Sequence, residues 1–410
     1  MQKRVLVVSF GFLPAIGGSY RVLQELVSRV ACPCVTVLTC KDRRVPKRAS
    51  SSGYELKRSV FISLLNENGF LFGRFYTHHL YKFLRFRLIK RTFRLVIFPI
   101  VAFIYVLSLH LRDRNSHVIF AQSVLPFAWF IYLIRRISAA KVITFVYGED
   151  IVPLRKQEMA KRISRKIYLT GLRNVDYIIA NSKVTMNEVI RDGIATGKVT
   201  VIHPAVDYDF FTLQDRREMK ERLGLTDKFV LLSVGRLVRR KGFDRVIEQM
   251  PRLIKEIPNI LYIICGEGPD DTRLREIASR NGAVKYIKFI RGLPTVDLPV
   301  LYSASDLFVM PNRLDDINGD QEGFGIVFLE ANACGLPVIG GDSGGVRDVI
   351  EDRVNGFLVD PLDSERLAEL IVECYLGKHS FEPTKIREHI MQRFSWTHSS
   401  SSFNSLLAIT

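Results

Sequence analysis

Two carboxylates in the second half of the chain, Glu322 and Glu330, stand eight positions apart in a stretch rich in glycine. A helix is predicted from about Gly325 to Cys334, ended by Gly335 and Pro337. Eight residues correspond to about 80° around a helix, so a shared ligand requires Glu322 on the loop and Glu330 inside the helix. The helix start between them favours an anion, and a ligand with hydroxyls and phosphates would give both carboxylates partners.

Glycines and cations also follow other predicted strands of this half. Residues 234–242 place a turn and then Arg236 and Lys241 at a strand end. An arginine fork and a lysine charge could together neutralise a diphosphate, although a solvated basic turn would explain the segment equally well by itself. The Gly-Glu-Gly turn at 266–268 lets backbone approach a ligand, and 340–345 is a possible phosphate-side loop.

The elements that must position these residues are strands that alternate with helices along the whole chain. This order predicts an α/β protein with two doubly wound, Rossmann-like domains and a ligand in the cleft that faces the carboxyl ends of both sheets. We expect an N-terminal domain over 1–205, a C-terminal domain over 206–392 and a closing C-terminal helix over 393–410.

The first half offers one similar loop, Gly17-Gly18, between a predicted strand and a helix. Such a loop can present backbone amides to a phosphate, but a purely structural glycine pair is the more common case. Another predicted strand, residues 141–146, ends at Tyr147-Gly148-Glu149-Asp150.

The net charge of +17 is unevenly distributed. Residues 1–200 carry 33 Lys and Arg against 11 Asp and Glu, whereas the remainder carries 26 against 31. Within the basic half, residues 70–94 interleave aromatic side chains with cations in a region, 41–94, that otherwise looks irregular. The pattern favours an anionic membrane interface over a solvated surface or a nucleic-acid site. Residues 95–111 are uncharged, but their length and Pro99 favour a buried crossover helix over a membrane span.

The six cysteines lie in apolar segments without C-x-x-C spacing, which predicts reduced core residues of a cytosolic protein. The N-terminus is too short and strand-like for a signal peptide. Asp315, Asp316 and Asp320 could suggest a metal site, but their loop position beside available cations favours a surface cluster.

The order of the motifs in the second half resembles the donor-binding domain of the family 4 glycosyltransferases of the GT-B fold. The resemblance covers most of residues 228–375 and extends more loosely to the first half through Gly17-Gly18 and the order of strands. It is carried by Gly235-Arg236 with Lys241-Gly242, by Gly266-Glu267-Gly268, by Glu322-Gly323-Phe324-Gly325 through Glu330-Ala331, and by Gly344-Gly345.

The resemblance implies a retaining hexosyltransferase that uses a nucleotide diphosphate sugar and needs no metal or other cofactor. The acceptor would be a glycan or a lipid-linked glycan, with the enzyme cytoplasmic and peripheral on the inner membrane face, in cell-surface polysaccharide or glycolipid synthesis. An anionic membrane surface is an expected partner, and nucleic acid is not.

The resemblance also assigns roles to matching residues. Arg236 and Lys241 would hold the diphosphate, Glu322 the hydroxyls of the donor sugar as a catalytic residue, and Glu330 the ribose hydroxyls. Gly18 would approach the phosphate from the first domain. The backbone amides of Phe324 and Gly325 would face the sugar or the phosphate. Ile326, Gly266 and Glu267 would also line the donor site.

The sequence departs from the family pattern at two places. Many relatives carry His-Gly where this chain has Tyr147-Gly148, and a tyrosine with an ordinary pKa of about 10 is a poor general base. Acceptor deprotonation then falls to the leaving phosphate oxygen, or to Glu149 or Asp150, which could equally bind acceptor hydroxyls or cap a helix. Asp348 stands where relatives have a glutamate, as a helix-start carboxylate.

Two other functions remain open from the residues. The same fold serves nucleotide-sugar epimerases and phosphorylases, although no residue argues for a phosphorylase. A basic nucleic-acid- or membrane-binding protein on a GT-B-like scaffold without transferase activity is the alternative from another class, but the cations of the first half form no recognisable recognition module.

Overall fold

The computed structural model describes residues 4–9, 18–31, 34–39, 55–58, 100, 102–104, 107, 116–120, 127–137, 139–148, 159–315 and 319–409. The chain divides into two compact units. The first comprises residues 1–181, 186–202 and 397–410, and the second comprises 182–185 and 203–396. Apart from residues 182–185, the chain enters the second unit at His203 and leaves it after Trp396.

A parallel sheet forms the centre of the first unit, with seven strands among the described residues in the order β3-β2-β1-β4-β5-β6-β7. Apolar runs such as Val5–Val8 are buried because helices cover both faces of such a sheet. The strands are β1 Arg4–Ser9, β2 Cys34–Thr39, β3 Glu55–Arg58, β4 Ser116–Phe120, β5 Lys141–Val146, β6 Tyr177–Ala180 and β7 Val199–Val201.

Helices connect these strands, and the last helix of the chain returns to the first unit. In that last helix Asn404 accepts a hydrogen bond from the backbone amide of Ala31 at 2.9 Å and donates one to the carbonyl of Arg29 at 3.0 Å. The closing helix predicted for residues 393–410 therefore packs on the first unit. The α-helices of this unit whose two ends lie among the described residues are Gly18–Ser28, Ala128–Ile137, Met159–Arg173, Lys183–Arg191 and Trp396–Ile409.

The second unit repeats the architecture around a parallel sheet of six strands in the order β10-β9-β8-β11-β12-β13. The chain order reverses direction between β8 and β11, which is where loops from adjacent strands diverge and a ligand site forms in such sheets. The strands are β8 Phe229–Val234, β9 Ile260–Cys265, β10 Ile287–Ile290, β11 Leu307–Met310, β12 Val338–Gly341 and β13 Gly356–Val359.

The helix between the Glu322 loop and β12 begins and ends close to the positions that the sequence predicts. The predicted helix from Gly325 to Cys334 spans Ile326–Ala333, with Gly325 preceding it in a left-handed conformation (φ 94°). The helices are Arg216–Leu223, Phe243–Glu256, Asp271–Arg280, Leu298–Ser303, Ile326–Ala333, Val346–Val349, Ser364–Tyr375 and Pro383–Arg393.

Two expectations about local structure were wrong. Part of the region expected to be irregular forms strand β3, because Glu-Leu-Lys-Arg at the sheet edge needs no continuous apolar run. Asp315, expected in a surface cluster, is buried.

Two further predictions concern thiols and membranes. Cys265, Cys334 and Cys374 are free, and burial raises the pKa of each thiol, to about 11 for Cys265 and about 12 for the other two, as expected of reduced core cysteines. Among the described residues, the helices are too short or too polar to span a bilayer. The basic aromatic segment 70–94 lies outside the described residues.

Candidate active site

Loops from the carboxyl ends of β8 and β9 pack against each other in the second unit. The amide of Gly235 donates to the carbonyl of Cys265 at 2.9 Å, and the amide of Leu237 donates to the carbonyl of Glu267 at 2.9 Å. A Cβ atom on Gly266 would lie 1.9 Å from the carbonyl oxygen of Gly235, so glycine is required at that position. Two of the four motif loops are therefore in direct contact.

The other two motif loops also meet. The amide of Gly345 donates to the carbonyl of Glu322 at 2.9 Å, and a Cβ atom on Gly345 would lie 2.1 Å from the carbonyl oxygen of Gly323. The Gly-Gly pair at 344–345 thus allows the loop after β12 to hold the backbone of the Glu322 loop.

Glu322 lies at the centre of a cluster of positive charge. Its Oε2 atom is 2.6 Å from Nζ of Lys241 and 2.9 Å from NH1 of Arg240. The side-chain amide of Asn312, directly beyond β11, donates to the same oxygen at 3.2 Å. Residues from the loops after β8 and β11 therefore converge on one carboxylate.

This environment keeps Glu322 ionised. Burial by itself would raise the pKa of the carboxyl group, but the charges of Lys241 and Arg240, with hydrogen bonds from Lys241 and the Phe324 amide, lower the pKa to about 2. A buried carboxylate that remains charged is a fixed acceptor for hydroxyl groups. The Phe324 amide, which the resemblance directs at the donor, donates to Glu322 in this structure.

Arg240 links Glu322 to a second acidic residue. Its Nε atom donates to Oδ2 of Asp320 at 2.6 Å while NH1 contacts Glu322, so the guanidinium bridges two carboxylates. Around this bridge, three buried polar atoms make no hydrogen bond with the described residues. These atoms are Oδ1 of Asn312, Oδ1 of Asp320 and Nε2 of Gln321.

The basic turn owes its conformation to a second ionic network. The amide of Arg313 donates to the carbonyl of Arg240 at 2.9 Å. Both terminal nitrogens of Arg313 contact the buried carboxylate of Asp244, at 2.8 and 2.7 Å, and Arg273 contacts it at 3.0 Å. Burial opposes charge on Asp244, but the two arginines lower its pKa. Asp244 and Arg313 therefore hold the segment that carries Arg240 and Lys241.

Arg236 differs from Lys241 in its surroundings. It is exposed on the loop after β8 and makes no hydrogen bond or ion pair with the part of the chain that the structure describes. Its guanidinium is available to an anionic ligand at the carboxyl end of the sheet, whereas Lys241 is already engaged with Glu322.

Glu330 lies inside the helix Ile326–Ala333, as predicted, and Glu322 lies on the preceding loop. The hydroxyl of Tyr302 donates to Oε2 of Glu330 at 3.0 Å, and both residues are buried. Burial, with the charge of Glu330, raises the pKa of the Tyr302 phenol well above its ordinary value. Tyr302 therefore remains a donor and orients Glu330.

Asp348 has a larger role than that of a helix-start carboxylate. Its Oδ2 atom accepts hydrogen bonds from the backbone amide of Lys183 at 2.6 Å and pairs with Nε2 of His203 at 3.0 Å. Burial disfavours its charge, but His203 and the Lys183 amide lower its pKa. The His203 ring stacks on Phe324, with centroids 5.5 Å apart. Asp348 thus supports the loop that carries Glu322.

The remaining predicted residues occupy different surroundings. Gly18 begins the helix Gly18–Ser28 of the first unit, and Glu149 and Asp150 lie outside the described residues. The Gly266 amide donates to the carbonyl of Ile290 at 2.9 Å, and Glu267 is exposed next to it. Ile326 is the first residue of its helix and is half-buried. Tyr147, discussed above as a poor base, is buried.

Sequence reasoning missed several residues of the site. Arg240 belongs to the basic run that was singled out, but nothing local distinguishes it from Arg239, which is exposed. Asn312 could have been found as a polar residue directly after a buried strand. Asp320, Tyr302 and His203 gave no local signal because their partners are distant in sequence.

Two family models match the chain, one in each half. The family model described as "Glycosyl transferases group 1" matches residues 215–388, and that described as "Glycosyltransferase Family 4" matches residues 17–210. Together the two models span both units.

Curated relatives include mannosyltransferases. The chain is 31% identical over 261 residues to a GDP-mannose-dependent alpha-(1-6)-phosphatidylinositol monomannoside mannosyltransferase of Mycolicibacterium smegmatis, covering 63% of this chain and 67% of that protein. It is 27% identical over 315 residues to a GDP-mannose-dependent monoacylated alpha-(1-6)-phosphatidylinositol monomannoside mannosyltransferase of Corynebacterium glutamicum, covering 74% and 79%.

Solved structures show the same fold at low identity. The Anabaena HepE structure in complex with UDP superposes with a TM-score of 0.73 and 18% identity, covering 99% of this chain and all of that one. WaaG, a glycosyltransferase of lipopolysaccharide biosynthesis, gives a TM-score of 0.61 and 17% identity over 98% of this chain and 95% of that one.

The two Rossmann-like units are those of a GT-B glycosyltransferase. The chain belongs to the group 1, family 4 glycosyltransferases and is an enzyme of that class.

Proposed function

We propose that this glycosyltransferase moves a hexose from a nucleotide diphosphate sugar to a lipid-linked or glycan acceptor, with retention of anomeric configuration. The observation that carries the proposal is the polar surface around Glu322. An ionised carboxylate lies beside three buried polar atoms without partners among the described residues, and hydroxyls of a sugar would supply those partners. A purely structural ion cluster would be expected to satisfy all of its buried polar atoms.

The surrounding charges suit a diphosphate leaving group. Arg236 is exposed and offers a planar guanidinium for phosphate oxygens. Lys241, beside Glu322, would contribute a second positive charge near the diphosphate. Together they would stabilise the charge that develops on the departing diphosphate without a resident metal ion. Glu330, oriented by Tyr302, would bind the ribose hydroxyls.

The acceptor side carries fewer assignments. In this proposal a phosphate oxygen of the leaving group accepts the acceptor proton, with Glu149 or Asp150 as the alternative groups. The named relatives are phosphatidylinositol monomannoside mannosyltransferases, which supports an acceptor with a lipid anchor. In this proposal the enzyme is cytoplasmic and peripheral to the inner membrane face.

The test is a screen of purified full-length protein against a panel of nucleotide sugars for stabilisation and for release of nucleoside diphosphate. GDP-mannose is the first donor to test because the mycobacterial relative is named for it. We expect release from at least one donor, with retained configuration in the product. Release from none, with both lipid-linked and soluble acceptors supplied, would contradict the proposal.

A further inference from the structure

One face of the first unit exposes large apolar side chains. In the helix Ala128–Ile137, the inward residues Phe130, Ile131 and Ile134 are buried in the core. The outward face is also apolar, with Trp129, Tyr132, Leu133 and Ile137 exposed by 37% to 51%. Their spacing, together with Arg136, follows the i, i+3, i+4, i+7, i+8 pattern of one helical stripe. Packing in the core does not explain this exposed apolar stripe, and such patches commonly mark interaction surfaces.

A second helix extends this face. The helix Met159–Arg173 packs against the helix Ala128–Ile137 and shares its core, and both cross the sheet on the same side because β4, β5 and β6 are adjacent and parallel. Two of its outward isoleucines each follow an exposed cation directly: Ile163 follows Arg162 and is exposed by 56%, and Ile167 follows Lys166 and is exposed by 44%.

A third segment joins the first helix at its other side. The ring of Phe103 lies 5.1 Å from that of Phe130 and 6.4 Å from that of Trp129. Ile100 and Ile104, one turn apart, are exposed by 40% and 60%. The exposed large apolar residues of the second unit, such as Val284, Val296 and Leu362, are not gathered on neighbouring helices in this way.

The charges on this face are all positive. Neither helix contains an acidic residue. Arg135 and Arg165 pair with Asp176 and Asp192, but Arg136, Arg162 and Lys166 form no ion pair with the described residues. Cations without ion pairs beside exposed Trp and Ile are complementary to a lipid bilayer surface, where anionic headgroups lie over apolar acyl chains.

We propose that this face, defined by Trp129, Leu133, Arg136, Ile137, Arg162, Ile163, Lys166 and Ile167 and called the docking face, binds the surface of an anionic lipid bilayer. Trp129 and the isoleucines enter the boundary between headgroups and acyl chains, and the cations contact lipid phosphates. A soluble protein partner is less favoured because the charged side chains of the two helices, as far as the structure describes them, carry one sign of charge. The inference rests on the proposed function, because an enzyme with a lipid-linked acceptor must reach that acceptor at the bilayer surface.

Trp129 supplies a direct probe. The chain contains two tryptophans, and Trp396 is buried. In a Trp396→Phe background, we expect Trp129 emission to shift to the blue and its quenching by iodide to fall when vesicles of phosphatidylglycerol and phosphatidylcholine are added. Vesicles of phosphatidylcholine alone should give much weaker changes. Unchanged emission and unchanged quenching with the anionic vesicles would overturn the proposal.

Cosedimentation then separates the two parts of the face. Neutralising Arg136, Arg162 and Lys166 to Gln should weaken binding to the anionic vesicles by about 100-fold, at about fivefold per cation, and should reduce its dependence on salt. Changing Leu133, Ile137, Ile163 and Ile167 to Gln should weaken binding about tenfold or more.

Matched controls come from the second unit. Arg217, Arg353 and Lys385 have side chains exposed by 72% to 86%, and their replacement by Gln should leave vesicle binding unchanged. The control for the apolar substitutions replaces Val284, Val296 and Leu362 by Gln. Equal losses in test and control variants would overturn the docking face.

Two further outcomes would also overturn it. One is salt-sensitive binding to RNA that exceeds binding to vesicles. The other is self-association that is lost in the Gln variants, measured by sedimentation velocity, which would make the face an interface between copies of this chain.

Donor chemistry distinguishes this inference from the proposed function. Each variant is assayed without lipid for release of nucleoside diphosphate, which the docking-face substitutions should leave within twofold of the unmodified protein. Vesicle binding without release from any nucleotide sugar would contradict the proposed function and leave the docking face intact. Release of nucleoside diphosphate without vesicle binding would overturn the docking face and leave the proposed function intact.

Discussion

The ammonium group of Lys241 lies 2.6 Å from Oε2 of Glu322, and less than a tenth of either residue is exposed. The two groups belong to loops at the ends of different strands, β8 and β11, and each makes burial of the other tolerable. A substitution at either position therefore changes stability as well as ligand binding. Activity and folding must be measured together at this site.

Replacing the central carboxylate should abolish transfer. Glu322→Gln keeps the shape but removes the charge, so Lys241 and Arg240 lose their shared partner, and we expect nucleoside diphosphate release to fall by about 100-fold or more. The free energy of unfolding should drop by about 3 kcal/mol. Urea unfolding and initial rates measure the two effects, with Glu365→Gln, an exposed acidic position, as the control. Full activity in Glu322→Gln would refute the site assignment.

Arg236 and Lys241 should respond differently to substitution. Arg236 is exposed, so Arg236→Gln should leave unfolding within about 0.5 kcal/mol of the unmodified protein while raising the donor KM by about 10- to 100-fold. Lys241→Met should raise the KM and also destabilise the fold, because Glu322 loses its nearest cation. Arg217→Gln is the exposed control. Equal loss of stability in the two site variants would contradict this distinction.

The low pKa of Glu322 predicts a pH dependence of stability. Its pKa falls from an ordinary value of 4.5 to about 2 on folding, so as the pH decreases the unfolded chain takes up the proton first. The stabilisation is complete above about pH 5 and is lost as the pH falls from there towards 2. The difference in unfolding free energy between the unmodified protein and Glu322→Gln should be constant from pH 7 to 5 and shrink at pH 4 and 3. A difference that does not change with pH would show that the carboxyl group titrates normally.

Tyr302 should act through Glu330. Tyr302→Phe removes the hydrogen bond to the buried carboxylate and should cost about 1.5 to 3 kcal/mol of stability. The donor KM should rise severalfold with little change in kcat, because ribose is remote from the reacting bond. Tyr375→Phe, at an exposed tyrosine, is the control.

A nucleotide analogue tests the ribose contact itself. If Glu330 binds the ribose hydroxyls, Glu330→Gln should reduce the preference for a ribonucleotide over its 2′-deoxy analogue, measured as a ratio of dissociation constants. An unchanged ratio would place the ribose elsewhere.

Much of the fold was predictable because the signals are local. The runs Phe229–Val234 and Leu307–Met310 are apolar except for Ser233, as expected of strands buried on both faces, and both are strands in the structure. The position of Glu322 on the loop and Glu330 in the helix also followed from their spacing and the flanking glycines. Strand β3 was missed because an edge strand carries no such run.

The partners of the site residues were not predictable in the same way. The sequence by itself determined two α/β domains, the order of the motif loops and the two glutamates of the candidate donor site. Only the tertiary structure decided that Arg240 as well as Lys241 meets Glu322, that Tyr302 orients Glu330, and that Asp348 pairs with His203. The physical reason is that periodicity reports the burial of a segment, whereas an ion pair depends on which strand ends become neighbours in the sheet.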